Sequence, residues 1–477
     1  MSLTIVHYIS LIIAIAISLV PVIMVARKVK SADDYSVGGR KYGVPMVTGT
    51  ILGTIIGGSS TVGTSQMAFA KGITAWWVTL GAGIALLLMA FFYAKPLRRS
   101  RLSTVSQFLT HCFGKKAGAV SSMTVSLGMF FSIIASSITG LHLIAGIFGI
   151  SLGISAFIIG GLVLCFVFFG GLKGSGTAGL VKLALVAVSI IAGGIWAFFD
   201  IGAFAGLKRV FDFDPWLNLY SGGIGDGLYN LTAMIIGVIS TQAYVQGVFA
   251  AKNLRTAYWG CISAGITIIM VGLPSVIIGL YMRQAHPELL PINALPYFLC
   301  KYLPDYLGGA GLAAVLFSAA GSVAGLSLGI GTTVSNDIFR NILNINNERK
   351  VLWLNRLTVL AATAGGLIFA LCYYDSMVLK WNYLSMATRG LTIFIPLSCL
   401  IFFREHVPGK AGLASMLAAI CGALLWKIIF PESKNILFAG LAAALLIMLP
   451  AISTAFIKER KLSAHGQTKE TAVPLKH

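Results

Sequence analysis

Acidic residues are scarce in this sequence: 15 Asp and Glu stand against 35 Lys and Arg in 477 residues, and only 10% of positions are charged. The apolar runs hold no paired carboxylates, and a lone His142 makes no constellation, which argues against a membrane-embedded enzyme. Cysteine is sparse as well. Cys112, Cys165, Cys261, Cys300, Cys372, Cys399 and Cys421 show no CxxC spacing and mostly fall inside apolar runs, so neither a disulfide framework nor a metal site is implied. No polar stretch is long enough for a solvent-exposed domain. The first apolar run, Ile5 to Ala26, lacks a basic leader and a small-residue cleavage site, so it reads as a span and not a signal peptide.

Apolar residues are abundant. They make up 57% of the chain, with a mean hydropathy of +0.88, the composition of an all-α polytopic membrane protein. Thirteen spans are predicted, near 5–26, 46–70, 73–95, 118–148, 151–171, 177–203, 228–250, 257–281, 308–333, 354–374, 380–402, 411–430 and 435–457. Residues 1–457 form one transmembrane domain, followed by a polar, disordered tail over 458–477. The formal charge of +20 lies in loops and carries orientation, not nucleic-acid binding. One side carries 25 Lys and Arg and the other 8. By the positive-inside rule the N-terminus is outside and the tail cytoplasmic, in an inner membrane.

The stretch 48–72, TGTILGTIIGGSSTVGTSQMAFAKG, is long enough to cross a bilayer but badly composed for a continuous helix. Gly57-Gly58-Ser59-Ser60-Thr61 puts two glycines and three hydroxyls at mid-span. Loosened backbone at that depth is tolerated where it lines a cavity or is buried in protein. Small residues also suit a tight helix–helix contact, and both readings stand.

Four motifs then accumulate in order: DDYSVGGRKYG (33–43), GGLKGSGTAG (170–179), TQAYVQGVFAAKNLRTA (241–257) and GLAAVLFSAAGSVAGLSLGIGTTVSNDIFRNIL (311–343). Together they resemble the bacterial sodium:solute symporter family over roughly residues 30–405. The resemblance implies a leucine-transporter-type fold, with spans 2–6 and 7–11 (about 46–203 and 228–402) as inverted five-helix repeats. It also implies symport of a small organic solute, driven by a cation gradient, with sodium as the coupling ion and no other cofactor.

By the same resemblance, sodium lies between the broken second span and span 9. The matching positions are the carbonyls of Gly53 and Ile56, the carbonyl of Ser318, and Gly321 and Ser322, where the family usually has two hydroxyl residues. Only Ser322 keeps its hydroxyl; Ser318, one turn earlier, can offer its own. The family's Thr-Asp pair in span 6 becomes Ala178-Gly179, and Lys182 follows three residues later. A lysine inside a membrane costs about 2.5–3.5 kcal/mol and marks function by default. Lys182 is therefore either a surrogate for the ion, giving proton-coupled or sodium-independent transport, or a side chain that snorkels to the interface.

Solute is expected beside the break, at Ser59, Ser60 and Thr61, with Trp76 (or Trp77) stacking on it or anchoring at the interface. Arg389 lies near the middle of span 11, with only Asp375 and Glu405 as distant acids. Its planar fork matches a solute carboxylate or, alternatively, freed backbone carbonyls near Gly390 and Pro396. A carboxylate or amino acid is favoured among the family's range of amino acids, carboxylates, vitamins and sugars. Partners are the lipid bilayer and a small solute; no nucleic acid and no obligate protein partner is implied. A transporter-like sensor is the rival from another class.

Overall fold

The computed structural model describes residues 3–26, 32–167, 171–345, 347–403, 407–433 and 435–464. Residues 465–477 of the expected tail, Glu405 and Gly170 of the second motif lie outside the described residues. The main helices are α1 (Ile5–Ala26), α2 (Val44–Ile55), α3 (Thr64–Lys71), α4 (Trp77–Leu88), α5 (Val105–Phe113), α6 (Lys115–Phe148), α7 (Leu152–Val167) and α8 (Gly171–Val186). They continue as α9 (Ile224–Ile239), α10 (Gln242–Ala250), α11 (Leu254–Ala285), α12 (Asp305–Thr333), α13 (Glu348–Cys372), α14 (Val378–Phe402), α15 (Gly409–Ile429) and α16 (Ile436–Ala464).

The expected thirteen spans, arranged as repeats 2–6 and 7–11, are corrected. Among the described residues nine helices are long and apolar enough to cross a bilayer, or ten if α9 and α10, bent by 44°, count as one. One reason is length. The apolar stretches Ile5–Ser18, Val44–Ile55 and Leu152–Val167 are too short to cross a bilayer as straight helices; the 12 residues of α2 rise about 18 Å, against a hydrocarbon core of about 30 Å. The other is continuity. From Ser59 to Arg99 the chain winds through successive helical turns, passing as one 41-residue stretch where two spans are predicted.

α12 is the axis of the packing. Every residue from Gly311 to Thr333 is buried, and the helix touches α1, α2, α6, α7, α8 and α13. A helix apolar all round belongs inside a bundle, and its run of Gly, Ala and Ser lets neighbours approach closely. α16 continues to Ala464, into the first residues of the predicted tail.

α2 stops at Ile55 because the next residues cannot continue it. Ile56 leaves helical geometry (φ −78°, ψ 87°), and a π-helical turn over Ser59–Gly63 leads into α3. Gly57 is required there: a Cβ on it would lie 2.2 Å from Ser322 Oγ of α12. The hydroxyls that make this stretch look wrong for a helix repair it. Ser60 Oγ donates to Ile55 O at 2.5 Å, Thr61 Oγ1 to Gly57 O at 2.9 Å, and Thr64 Oγ1 to Ser59 O at 3.0 Å.

Candidate functional site at the helix break

A helix end leaves four carbonyls without intrahelical partners, and buried ones must be satisfied by something else. Each of the four that end α2 is met by a side chain. Gly53 O accepts from Lys182 Nζ at 2.6 Å and Ile56 O from the same ammonium at 2.5 Å. Thr54 O accepts from Ser322 Oγ, and Ile55 O from Ser60 Oγ. Lys182 is 2% exposed and turned inward onto the break, not out toward an interface.

One glycine borders that ammonium and another brings two helices together beside it. A Cβ on Gly321 of α12 would lie 3.4 Å from Lys182 Nζ and 3.3 Å from Gly53 O. A Cβ on Gly179 would lie 2.0 Å from Gly49 O and 2.7 Å from Gly53 Cα, so α8 and α2 touch where an acid is expected from the resemblance. Ser318 is buried, and its Oγ has no hydrogen-bond partner. Gly53, Ile56, Gly321, Ser322 and Lys182 thus meet at one point; the hydroxyl of Ser318 is not engaged.

Beside the break lies a small cavity of about 10 Å³, lined by Ser59, Ser60, Thr79, Ser132, Tyr244 and Asn382 among others. That is room for about one water molecule, so an organic solute needs side chains to move. Ser59 and Ser60 line it as predicted. Thr61 spends its hydroxyl on Gly57 O, and Trp76 sits in the turn before α4 and does not contribute to the lining. Trp77 donates Nε1 to Leu219 O at 2.9 Å and packs edge-on against Tyr220. The lining residues missed in the sequence left faint traces. Tyr244 stands inside the third motif, Ser132 and Ser136 recur one turn apart on α6, and Asn382 is a lone amide in an apolar run.

Arg389 is fully buried one layer behind this cavity. Its Nη2 donates to Ser132 Oγ at 2.8 Å and Ser385 Oγ at 2.7 Å, and the guanidinium lies 6.0 Å from the Tyr244 ring centre. Among the described residues, Nε and Nη1 have no hydrogen-bond partner. Ser132 connects the guanidinium to the cavity, and no backbone carbonyl takes its donors. His142 is a packing residue with one hydrogen bond, to Tyr374 O at 2.8 Å.

The two ends of the molecule differ. At one end, a vestibule of two adjoining cavities, about 320 and 480 Å³, shares Met67, Lys71, Asp226 and Asn230. Roughly one helical turn separates it from the central cavity: Asn230 and Tyr383 line the vestibule, Met234 and Met386 the cavity. The other end, where the basic loops lie, is closed by several layers. Gln242 of α10 holds Val105 N and Ser103 O, both at 2.9 Å. Gln246 donates to Ser36 O and Thr332 Oγ1, and Tyr42 pairs its backbone with Ala250 and Lys252.

An interrupted helix, a buried central helix across from it and a polar cavity between them define a membrane transporter of the leucine-transporter type. The sequence profile of the Sodium:solute symporter family matches residues 35–419, and the chain belongs to that family. It is 25% identical to the human high affinity choline transporter 1 over 405 residues, covering 78% of this chain and 68% of that one. It is 22% identical to the high-affinity proline transporter PutP of Bacillus subtilis, covering 94% and 95%. Among solved structures, a Na+-coupled sialic acid symporter in a substrate-bound outward-open state superposes with a TM-score of 0.79 at 16% identity, over 95% of this chain and 98% of that one. The nucleobase-cation-symport-1 family transporter Mhp1 gives 0.55 at 14% identity, over 89% and 95%. The protein is therefore a multi-pass secondary active transporter of a small organic solute, not an enzyme.

Proposed function

We propose that this protein carries a carboxylate-bearing solute by alternating access, and that the ammonium of Lys182 stands where the family's sodium ion would bind. The single observation supporting this is the contact of Lys182 Nζ with the carbonyls of Gly53 and Ile56. Two cations cannot share those oxygens, and Gly321 supplies no hydroxyl, so the residues present do not fit a sodium ion at this position. The basic-loop side is cytoplasmic by the positive-inside rule, in a bacterial inner membrane, and the vestibule then opens outward.

The carboxylate follows from Arg389. A buried guanidinium without an acid carries an uncompensated charge, and two of its nitrogens hold unspent donors. Proline and sialic acid, named for two of the relatives above, are carboxylates, whereas choline, named for another, is a cation. Arg389→Gln is expected to raise the Michaelis constant for an acidic solute about tenfold or more, the scale of one lost charge-assisted hydrogen bond, while leaving expression intact. Initial uptake rates against solute concentration check this, and an unchanged constant contradicts it.

Reconstitution in liposomes with sodium and pH gradients imposed separately tests the coupling. Uptake driven by a pH gradient, or exchange that proceeds without sodium, is expected. Strict dependence on a sodium gradient contradicts the surrogate role of Lys182.

A further inference from the structure

Asp337 is a buried acid that the site above does not use. It is 3% exposed and lies in the π-helical turn Val334–Arg340 that follows α12. Among the described residues it forms no salt bridge. A carboxylate out of water without a counter-charge needs strong hydrogen bonds. Asp337 takes them from two other elements: Thr104 Oγ1 donates at 2.9 and 3.2 Å to its two oxygens, Ser106 of α5 adds a side-chain bond, and Ser122 Oγ, shared with Gly118 O, donates at 2.8 Å.

The partners matter because of where they stand. Thr104 is the N-cap of α5, its Oγ1 also accepting from Gln107 N at 2.9 Å. Ser122 lies in the second turn of α6. One carboxylate therefore joins the end of the central helix to the loop helix α5 and to the start of α6. The neighbouring residues of α5 are held independently to α10 through Gln242. These are the layers that close the basic-loop end, and Asp337 is the charged group at their junction.

We propose that Asp337 is a positioning residue of the transport cycle. Its carboxylate holds the basic-loop end shut while the cavity is accessible from the vestibule, and solute release on that side requires Thr104 and Ser122 to leave it. The proposal rests on the alternating-access reading but not on the role of Lys182. Removing the charge weakens the closed arrangement, so the population shifts toward the state open at the basic-loop end. A ligand approaching from the vestibule then meets fewer competent molecules and binds more weakly by that fraction.

The test uses Ala243→Cys, a position on α10 that is 2% exposed and packs against Gly329 of α12. Its maleimide labelling is measured from the basic-loop side in membrane vesicles, with the parent chain as background. Asp337→Asn is expected to speed labelling at least about tenfold and to weaken solute binding from the vestibule side by a similar factor; Asp337→Glu is expected to recover part of both. Ser122→Ala, which removes one donor and keeps the acid, is expected to move both readouts in the same direction by a smaller factor, and it decides the matter if Asp337→Asn fails to fold. Unchanged labelling in Ser122→Ala, or faster labelling with unchanged solute affinity, overturns the proposal. Sodium-dependent uptake in the liposome experiment counts against the lysine reading alone and leaves these outcomes as they are.

Discussion

Replacing Lys182 with methionine is expected to lower solute uptake at least about a hundredfold and to destabilise the protein. Methionine keeps the volume of the stem and removes the three donors. Gly53 O and Ile56 O then lose their partners inside the bundle, and each orphaned buried carbonyl costs about 1–3 kcal/mol. The loss falls at the end of α2, the segment that has to hold its shape while neighbouring helices move. Arginine is not a rescue: its planar fork is larger than an ammonium and differently aimed, in a space already tight against Gly321. Uptake into liposomes and thermal unfolding of the purified variants check this. Lys182→Met with full uptake contradicts it.

The second large effect comes from pairing that change with its neighbour. Gly321→Ser alone brings a Cβ to 3.4 Å from Lys182 Nζ and 3.3 Å from Gly53 O, with a hydroxyl still to place. Overpacking of this kind costs about 1–3 kcal/mol, so uptake should fall roughly tenfold. Combined with Lys182→Ala, the same serine has room. Its hydroxyl joins those of Ser322 and Ser318 and the carbonyls of Gly53 and Ile56, a set of oxygens suited to a small hard cation. The double variant is expected to be more active than either single variant, and only when sodium is present. Uptake by all three with sodium or N-methyl-D-glucamine as the bulk cation measures this. Additive losses without sodium dependence contradict it.

Part of this was legible in the sequence. Two glycines and three hydroxyls at 57–61 suit either a broken helix or a tight helix–helix contact, because the interior of a bilayer leaves loosened backbone nothing to bond unless protein or a cavity supplies it. The number of crossings was not legible. Hydropathy registers apolar runs but not whether a run is a half-length helix, like α2, or continues through a turn into the next, as from Ser59 to Arg99. The direction of Lys182 was also hidden, since a flexible four-carbon stem one turn inside a helix reaches inward or outward equally well. What decides it is the set of stranded carbonyls on α2, more than a hundred residues away. Arg389 finds Ser132 on a different helix for the same reason, and Asp337 reads as a loop-side acid until α5 and α6 are seen to cover it.

The central claim is that the protein's own ammonium occupies the oxygens at the helix break. Its most direct test is the affinity of the purified wild-type protein for its solute, measured by calorimetry as sodium is replaced by N-methyl-D-glucamine at constant ionic strength. If Lys182 is the resident cation, the dissociation constant stays the same across the series. If it falls steadily as sodium rises, and the Lys182→Met variant behaves alike, a sodium ion binds there and the lysine does not take its place.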